Sequence, residues 1–393
     1  MARAGLRQIS SIIATTGFRV FSTSGKRIRN DLWRTYIVET RVDKEADRAR
    51  RLVDRFGWNS TCYQIVNPGI ERWFGPEGDA VVGFVRRYGV RVVAGAPVCP
   101  QPRLAEVLNQ FENCRRGCVC YFGAEARVRE VLANRREYSS VTLGAQPIWR
   151  PEIWCERFDA DASLRAQRNR ARNKGVVVNE WPPSRASNHP ELWQCLREWL
   201  ETRGLPPLHF LVEPATLGNL EGRRVFVAEK DGHAVGFVVL SPVPERQGWL
   251  TEQFVRGRNA PNGTVELTLD TAIRTVAKDG DAYVTMGIVP LSNHNVGGST
   301  ANPAWLRLIL AWTRAHGRRF YDFDGLDQFK MKFHPEEWEP IYAISKETKF
   351  SLRTLYAIAA AFTNGSPIIA VIKGLSRAVG QEIRWTLDRA HEG

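Results

Sequence analysis

The chain has 393 residues, of which 43% are hydrophobic and 25% charged, and this composition excludes a wholly disordered protein. Its length exceeds what one compact core usually holds, so two domains are expected. The net charge of +13 favours an anionic partner, such as nucleic acid, an anionic bilayer surface or an acidic substrate. An Arg-rich protein without such a partner is the alternative.

Helical and strand patterns alternate along the first half of the chain. One strand pair there is a hairpin in which Tyr88-Gly89 joins two apolar runs. The alternation indicates an α/β domain over residues 36–160, after a basic segment over residues 1–35. The predicted elements are a helix over 43–56, strands over 80–87 and 90–98, a helix over 104–114, a strand over 119–122 and a helix over 124–134.

The second half repeats this alternation and predicts a further α/β domain over residues 161–350. Apolar and basic helices are expected over residues 351–393, too interrupted to span a bilayer. The predicted elements are a basic helix over 164–174, a strand over 176–180, a helix over 192–202, strands over 225–229, 234–241 and 248–255, a helix over 264–278, a strand over 282–287, a helix over 303–315 and a strand over 320–323.

Cysteine usage and the N-terminal composition bear on the compartment. Seven cysteines without a secretory signal favour reduced thiols in the cytoplasm. Cys114, Cys118 and Cys120 cluster, but no second Cys/His pair completes a zinc site, so no metal is expected. Residues 1–30 contain no acidic side chain, which fits a basic arm on an anionic membrane, a transit peptide or an unstructured leader.

The predicted helix over 164–174 is strongly basic. Arg165, Arg168 and Arg172 recur at intervals of three and four residues and therefore share one face. Like charges this close together disfavour a helix unless an anion binds, so we expect the face to contact RNA phosphates. A solvated helix without a ligand is the alternative.

The second half has an element order that looks like the GNAT acyltransferase fold: a hairpin, a strand, a glycine-containing loop, a helix and a strand. In that fold the strand before the helix splays from its neighbour and its amides bind an acyl carbonyl, while the loop and helix N-terminus bind a phosphate. Asn262 and Gly263 in the loop, and Glu266 in the first helical turn, are therefore candidate substrate-binding residues. An ordinary strand–helix turn is the alternative.

Several segments, taken in order, resemble the C-terminal domain of the phosphatidylglycerol lysyltransferase family. The match covers about residues 36–345, and it is the order of the motifs that makes it specific. It implies an α/β fold of two tandem GNAT-like domains, with mixed central sheets flanked by helices. The matching segments are Phe56-Gly57-Trp58-Asn59-Ser60, Gly95-Ala96-Pro97-Val98, the basic helix to Gly175, Ala260-Pro261-Asn262-Gly263, and residues 286–291, 321–333 and 338–342.

The resemblance implies an aminoacyltransferase that moves an aminoacyl group from aminoacyl-tRNA to a lipid acceptor such as phosphatidylglycerol, without a further cofactor. The ester is already activated, so the site must bind its carbonyl, position the acceptor and move one proton. Lys332 falls on the family's Phe-x-x-Lys-Phe signature, with Lys330 inside it. Strand-like alternation would place both lysines opposite Phe329 and Phe333.

The remaining candidates are an arginine and two acids. Arg256 matches the Arg of the family's Asp-x-x-Arg pair, whose Asp position is Gln253 here. Glu252 beside it, or Asp324, is expected to accept the proton, with the α-amine of the aminoacyl group as a substitute. The candidate catalytic residues are Arg256, Lys330, Lys332, Glu252 and Asp324.

Two other functions stay open on the sequence. One is a CoA-dependent N-acetyltransferase, although the loop lacks the two closely spaced glycines of that class. The other is a non-catalytic RNA- or membrane-binding protein, which the loss of the family's Asp would favour. If the lipid acceptor is correct, we expect a cytoplasmic protein attached peripherally to the inner face of the membrane, with aminoacyl-tRNA and anionic lipid as its partners.

Overall fold

The computed structural model describes residues 43–202, 208–292, 294, 302–308 and 323–363. The chain separates into two units, Met1–Arg41 and Val42–Gly393, and all described residues belong to the second. The predicted basic segment over 1–35, the predicted strand over 320–323 except its last residue, part of the predicted helix over 303–315, and the chain after residue 363 lie outside the described residues.

Twelve strands within the described residues form one mixed sheet. Central strands are buried on both faces because helices cover both sides, and Val90–Ala94 is buried throughout. The strands are β1 Glu71–Phe74, β2 Val81–Arg87, β3 Val90–Ala94, β4 Cys118–Ala124, β5 Ser139–Trp149, β6 Val176–Trp181, β7 Arg224–Lys230, β8 His233–Val243, β9 Gly248–Arg256, β10 Tyr283–Thr285, β11 Val289–Pro290 and β12 Glu337–Ser345.

The sheet is continuous across both halves of the chain, in the order β1-β2-β3-β4-β12-β5-β10-β9-β8-β7-β6, with β11 pairing to β5. The β3/β4 and β9/β10 pairs are parallel. β12 lies between β4 and β5, and β10 also pairs with β5, so strands of the second half complete the sheet of the first. The mixed α/β class is confirmed, but one sheet replaces the two separate central sheets that were expected. The domain boundary near residue 160 stays a prediction.

Short polar side chains set where two of the helices begin. The Asp43 carboxylate accepts hydrogen bonds from the amides of Glu45 and Ala46, each 3.1 Å, and Asp161 accepts from the Leu164 amide at 2.9 Å. The helices are α1 Lys44–Phe56, α2 Leu104–Asn113, α3 Ala126–Leu132, α4 Pro151–Ala160, α5 Ala162–Asn173, α6 Pro183–Ala186, α7 Pro190–Glu201, α8 Thr264–Lys278, α9 Phe323–Met331 and α10 Leu352–Thr363.

Helices cover both faces of the sheet in the second half. Alternate residues of β7 face opposite ways, so that Phe226 packs with α8 and α4 while Val225 and Val227 pack with α7. The α8 side is rich in aromatic rings, including the stacked pair Trp154 and Phe333. Side chains of β9 contribute to both cores, Phe254 on the α8 side and Val255 on the α7 side.

The C-terminal helix α10 packs on the first half of the sheet. Its apolar residues Ala357, Ile358 and Ala361 are buried in the same core cluster as β2 and β3. Its apolar face therefore belongs to the core of the first half of the sheet. Among the described residues, no helix is both long enough and apolar enough to cross a bilayer.

Two local predictions were incomplete or wrong. The long central strand β5 was not predicted, because Gly144, Gln146 and Pro147 interrupt its apolar pattern. The segment around Phe329 was treated as a strand, but it ends the helix α9. Phe329 and Phe333 therefore contact one another across one helical turn, with ring centroids 5.3 Å apart.

Candidate functional site

The sheet opens between β9 and β10. These parallel strands pair over only three residues, ending at Leu250 and Thr285, after which β9 continues along β8 alone. At the same level Val239 of β8 pairs with Gln253, while the next residue of β8, Leu240, pairs with Thr251. Glu252 of β9 is therefore the extra residue of a β-bulge. The early end of the β9/β10 pairing is compatible with the splay expected from the element order, and a bulge lies next to it.

Lys330 contacts the segment that follows β10 beyond this opening. Its side chain is buried, and Nζ donates hydrogen bonds to the carbonyls of Met286, Gly287 and Ile288 at 2.7, 2.9 and 3.0 Å. Burial lowers the pKa of Lys330 to about 7, although the Asp327 carboxylate opposes that shift. Lys330 was named as a candidate catalytic residue, and in the structure its three donors bond to the main chain.

A cavity of about 560 Å³ lies at the N-terminus of α8, beside the end of β9. Helix α5 forms one wall with residues spaced three and four apart, and α9 contributes a phenylalanine. The lining residues are Ser163, Ala166, Gln167 and Arg170 of α5, Arg256 of β9, the segment Asn262, Gly263, Thr264, Val265 and Glu266, and Phe329 of α9.

The charges of this cavity suit an anion. Arg256 is exposed and is oriented by hydrogen bonds to the Ala260 carbonyl and to Asn262 Oδ1, both 3.0 Å. Arg170 extends from α5 on the other side. No side chain caps the N-terminus of α8, where main-chain amides and the helix dipole favour a negative group. A phosphate bound here would face two guanidinium groups and a helix N-terminus.

Lys332 and Glu266 form an ion pair at the edge of this cavity. Lys332 Nζ also lies 4.2 Å from the centre of the Phe329 ring, which lines the cavity. The lysine thus neutralises the one carboxylate among the lining residues. Glu266 was predicted to bind substrate, and the structure places it in the cavity already paired with Lys332.

Glu252 belongs to a buried network away from the cavity. Its carboxylate accepts hydrogen bonds from Arg223 Nε at 3.0 Å, from Thr216 Oγ1 at 2.6 Å and from Ser241 Oγ. Burial alone would raise its pKa, but the Arg223 charge and the two hydroxyls outweigh burial and lower it. A carboxylate that is fully bonded and less basic than usual is a poor proton acceptor, so the geometry does not favour Glu252 as the base, and the identity of the base stays a prediction.

The basic helix does not present the predicted face. Arg168 points inward, where NH1 contacts Asp159 at 2.7 Å and the fully buried Asp270 at 3.1 Å. Arg165 donates to the Asp159 carbonyl. Arg172 is exposed but does not line the cavity. The face turned to the cavity carries Arg170 instead. The prediction rested on the spacing of the charges, and that spacing does not show which side of the helix packs on α8.

The other two candidates lie elsewhere. Asp324 is in the first turn of α9, half-buried and outside the cavity lining. Gln253, at the family's Asp position, donates from Nε2 to the carbonyls of Glu213 and Pro214 at 3.1 and 3.4 Å. Across the described residues, no group of three or more His, Cys, Asp or Glu side chains is placed to hold a metal ion.

The described residues form a mixed α/β protein with one sheet and a charged cavity at the end of β9, and comparison with known families gives its class. Residues 50–345 match the family described as "Phosphatidylglycerol lysyltransferase, C-terminal", and the chain belongs to that family. A phosphatidylglycerol lysyltransferase of Bacillus subtilis is 23% identical over 291 residues, which are 73% of this chain and 33% of the relative. The chain thus spans about a third of that relative's length.

Two solved structures share the fold. The C-terminal domain assigned to a lysylphosphatidylglycerol synthetase of Agrobacterium fabrum superposes with a TM-score of 0.67 at 20% identity, covering 82% of this chain and 97% of that one. L-PGS from Bacillus licheniformis gives a TM-score of 0.65 at 20% identity, covering 85% and 96%. At 20% identity, the similarity to these two structures shows a shared fold and no more.

Proposed function

We propose that this chain transfers an aminoacyl group from aminoacyl-tRNA to the hydroxyl of a lipid acceptor such as phosphatidylglycerol. The observation that supports the proposal is the cavity at the N-terminus of α8, which Arg170 and Arg256 line and which lies at the end of β9. A donor that ends in a phosphate-linked nucleoside ester can place its phosphate in the cavity and its acyl group in the opening.

In this arrangement Arg170, Arg256 and the amides of α8 hold a phosphate near the 3′ end of the tRNA. The bulge at Glu252 interrupts the pairing of β8 with β9, and we expect a main-chain amide beside it to polarise the acyl carbonyl. Lys332 keeps Glu266 from repelling the phosphate. Binding energy from the tRNA thereby orients the ester for attack.

The reaction exchanges one ester for another. The bond between the acyl carbon and the tRNA ribose oxygen breaks, a bond to the acceptor oxygen forms, and the acceptor's proton ends on the ribose oxygen. Because Glu252 is committed to Arg223, the α-amine of the aminoacyl group or Asp324 takes the proton in transit. The chemistry requires no metal or organic cofactor.

The proposal is tested by incubating the full chain with radiolabelled aminoacyl-tRNAs and phosphatidylglycerol vesicles, and following label in the lipid fraction. Acetyl-CoA with amine acceptors is the parallel assay. Labelled lipid is expected from at least one aminoacyl-tRNA and no acetylated product. Acetylation without lipid labelling would favour a CoA-dependent N-acetyltransferase, and binding of tRNA or vesicles without either product would favour a non-catalytic role.

A further inference from the structure

Lys330 is a buried cation enclosed by main-chain carbonyls. It is 2% exposed, and its three donors go to three consecutive carbonyl oxygens, those of Met286, Gly287 and Ile288. An ammonium group has three N–H bonds, so this arrangement uses all of them. A buried lysine would be replaced by an apolar residue at little cost if it only filled space.

The three carbonyls belong to the segment that follows β10, where that strand leaves β9. Turning three successive carbonyls toward one point requires a sharp bend, and Gly287 adopts φ 72° there. The bend is fixed at its start, where the Gly287 amide donates to Thr285 Oγ1 at 3.1 Å and Thr251 Oγ1 of β9 donates to the Thr285 carbonyl, also at 3.1 Å. Lys330 fixes its other end.

This segment begins at the opening, where Thr251 of β9, next to the bulge, contacts the Thr285 carbonyl. Without Lys330, three carbonyl dipoles would lose their common partner and would be free to turn toward the opening. An acyl carbonyl develops negative charge on its oxygen during attack, and carbonyl oxygens turned toward it would repel that charge. The lysine therefore acts on the site through the main chain it holds.

We propose that Lys330 is a positioning residue whose charged ammonium holds residues 286–288 away from the acyl group in the opening between β9 and β10. This inference rests on the proposed transferase function. It reassigns Lys330 from direct contact with substrate to support of the main chain that follows β10.

The ionisation of Lys330 gives the proposal a second observable. A neutral amine has two N–H donors and a lone pair, so it cannot satisfy three carbonyls. Burial lowers the pKa of Lys330 to about 7. Among the neighbouring charges, Asp327, one turn earlier, favours the ammonium form of Lys330. The Asp327 carboxylate also contacts His294 at 2.6 Å. Lys332 pairs with Glu266 instead. The segment that follows β10 should loosen as pH rises through the pKa of Lys330.

The test compares wild type, Lys330→Met, Lys330→Arg and the exposed control Lys349→Met in single-turnover transfer from aminoacyl-tRNA to phosphatidylglycerol vesicles, from pH 6 to pH 9. Thermal melting and binding of uncharged tRNA report on folding. We expect Lys330→Met to bind tRNA normally, because the anion cavity is separate, yet to transfer at least about tenfold more slowly. Lys330→Arg should keep its rate to higher pH than wild type, because a guanidinium stays protonated.

Each outcome decides the matter. Wild-type transfer combined with an unaffected Lys330→Met variant would overturn this inference and leave the proposed function in place. If Lys330→Met does not fold, identical alkaline profiles for wild type and Lys330→Arg would overturn it. Absence of transfer in the wild type, with every aminoacyl-tRNA, would overturn the proposed function and this inference together.

Discussion

Gly263 packs directly on the main chain of Gln167. Gly263 has φ 92°, and a Cβ atom added there would lie 1.9 Å from the Gln167 carbonyl oxygen. The contact brings helix α5 against the N-terminus of α8 and so forms the wall of the anion cavity. Only glycine allows both this backbone conformation and this approach.

Gly263→Ala should therefore destabilise the protein by about 3 kcal/mol and weaken anion binding, because α5 must move away from α8. The matched control is Gly232→Ala. Gly232 has φ 81° but open space around it, so only the backbone cost of about 1 kcal/mol is expected. Urea denaturation measures both values, and equal costs for the two variants would show that the contact with Gln167 is not tight.

Arg170→Gln should weaken tRNA binding and reduce the slope of log affinity against log salt by about one, because one phosphate contact is lost. Arg172→Gln is the control, since Arg172 is exposed on the same helix but outside the cavity. Fluorescence anisotropy with labelled tRNA at several salt concentrations gives both slopes. A larger effect at Arg172 than at Arg170 would contradict this assignment. It would indicate that tRNA contacts the face with Arg165, Arg168 and Arg172, as the sequence predicted.

Lys332→Ala should slow transfer by about a hundredfold, because it leaves the Glu266 carboxylate unneutralised beside the phosphate. Adding Glu266→Gln to this variant should restore part of the rate, since it removes the repelling charge. Single-turnover transfer by the two single variants and the double variant measures the coupling. No recovery in the double variant would mean that Lys332 contacts the substrate directly.

Glu252→Gln should cost about 3–5 kcal/mol of stability, because it leaves the Arg223 charge buried without its partner. The pKa of Glu252 is lower folded than unfolded, so its contribution is present above about pH 4.3 and is lost as pH falls through the lower folded value. Glu201→Gln removes an exposed pair with Arg258 and should cost less than about 1 kcal/mol. Similar melting curves for both variants would contradict the assignment of Glu252 to structure.

The sequence was informative where one pattern decides the outcome. Helix α8 was predicted over the residues that form it, because its apolar spacing follows Asn262-Gly263 without interruption. The hairpin of β7 and β8 was also predicted. Asp231 and Gly232 lie in its turn, and both adopt the left-handed conformations that such a turn requires. Four of the candidates named from the sequence line one cavity: Arg256, Asn262, Gly263 and Glu266.

The rest depended on contacts between distant segments. Whether Arg168 or Arg170 faces a ligand depends on the side of α5 that packs on α8, and the carboxylate of Asp270 that attracts Arg168 is 102 residues away. The sequence did not distinguish Lys330 from Lys332. Helix α9 ends between them, so Lys330 bonds to main-chain carbonyls while Lys332 pairs with Glu266. The position of Glu252 next to Gln253 suggested that it replaces the family's Asp, but in the structure its carboxylate pairs with Arg223.

Single-turnover transfer of label from aminoacyl-tRNA to phosphatidylglycerol, compared between wild type and Arg256→Gln, tests the central claim most directly. Arg256 lies where the anion cavity meets the end of β9, and its loss should lower the rate about a hundredfold while melting changes little. Wild-type transfer with an unchanged rate in Arg256→Gln would contradict the location of the site. No labelled lipid from any aminoacyl-tRNA would contradict the function itself.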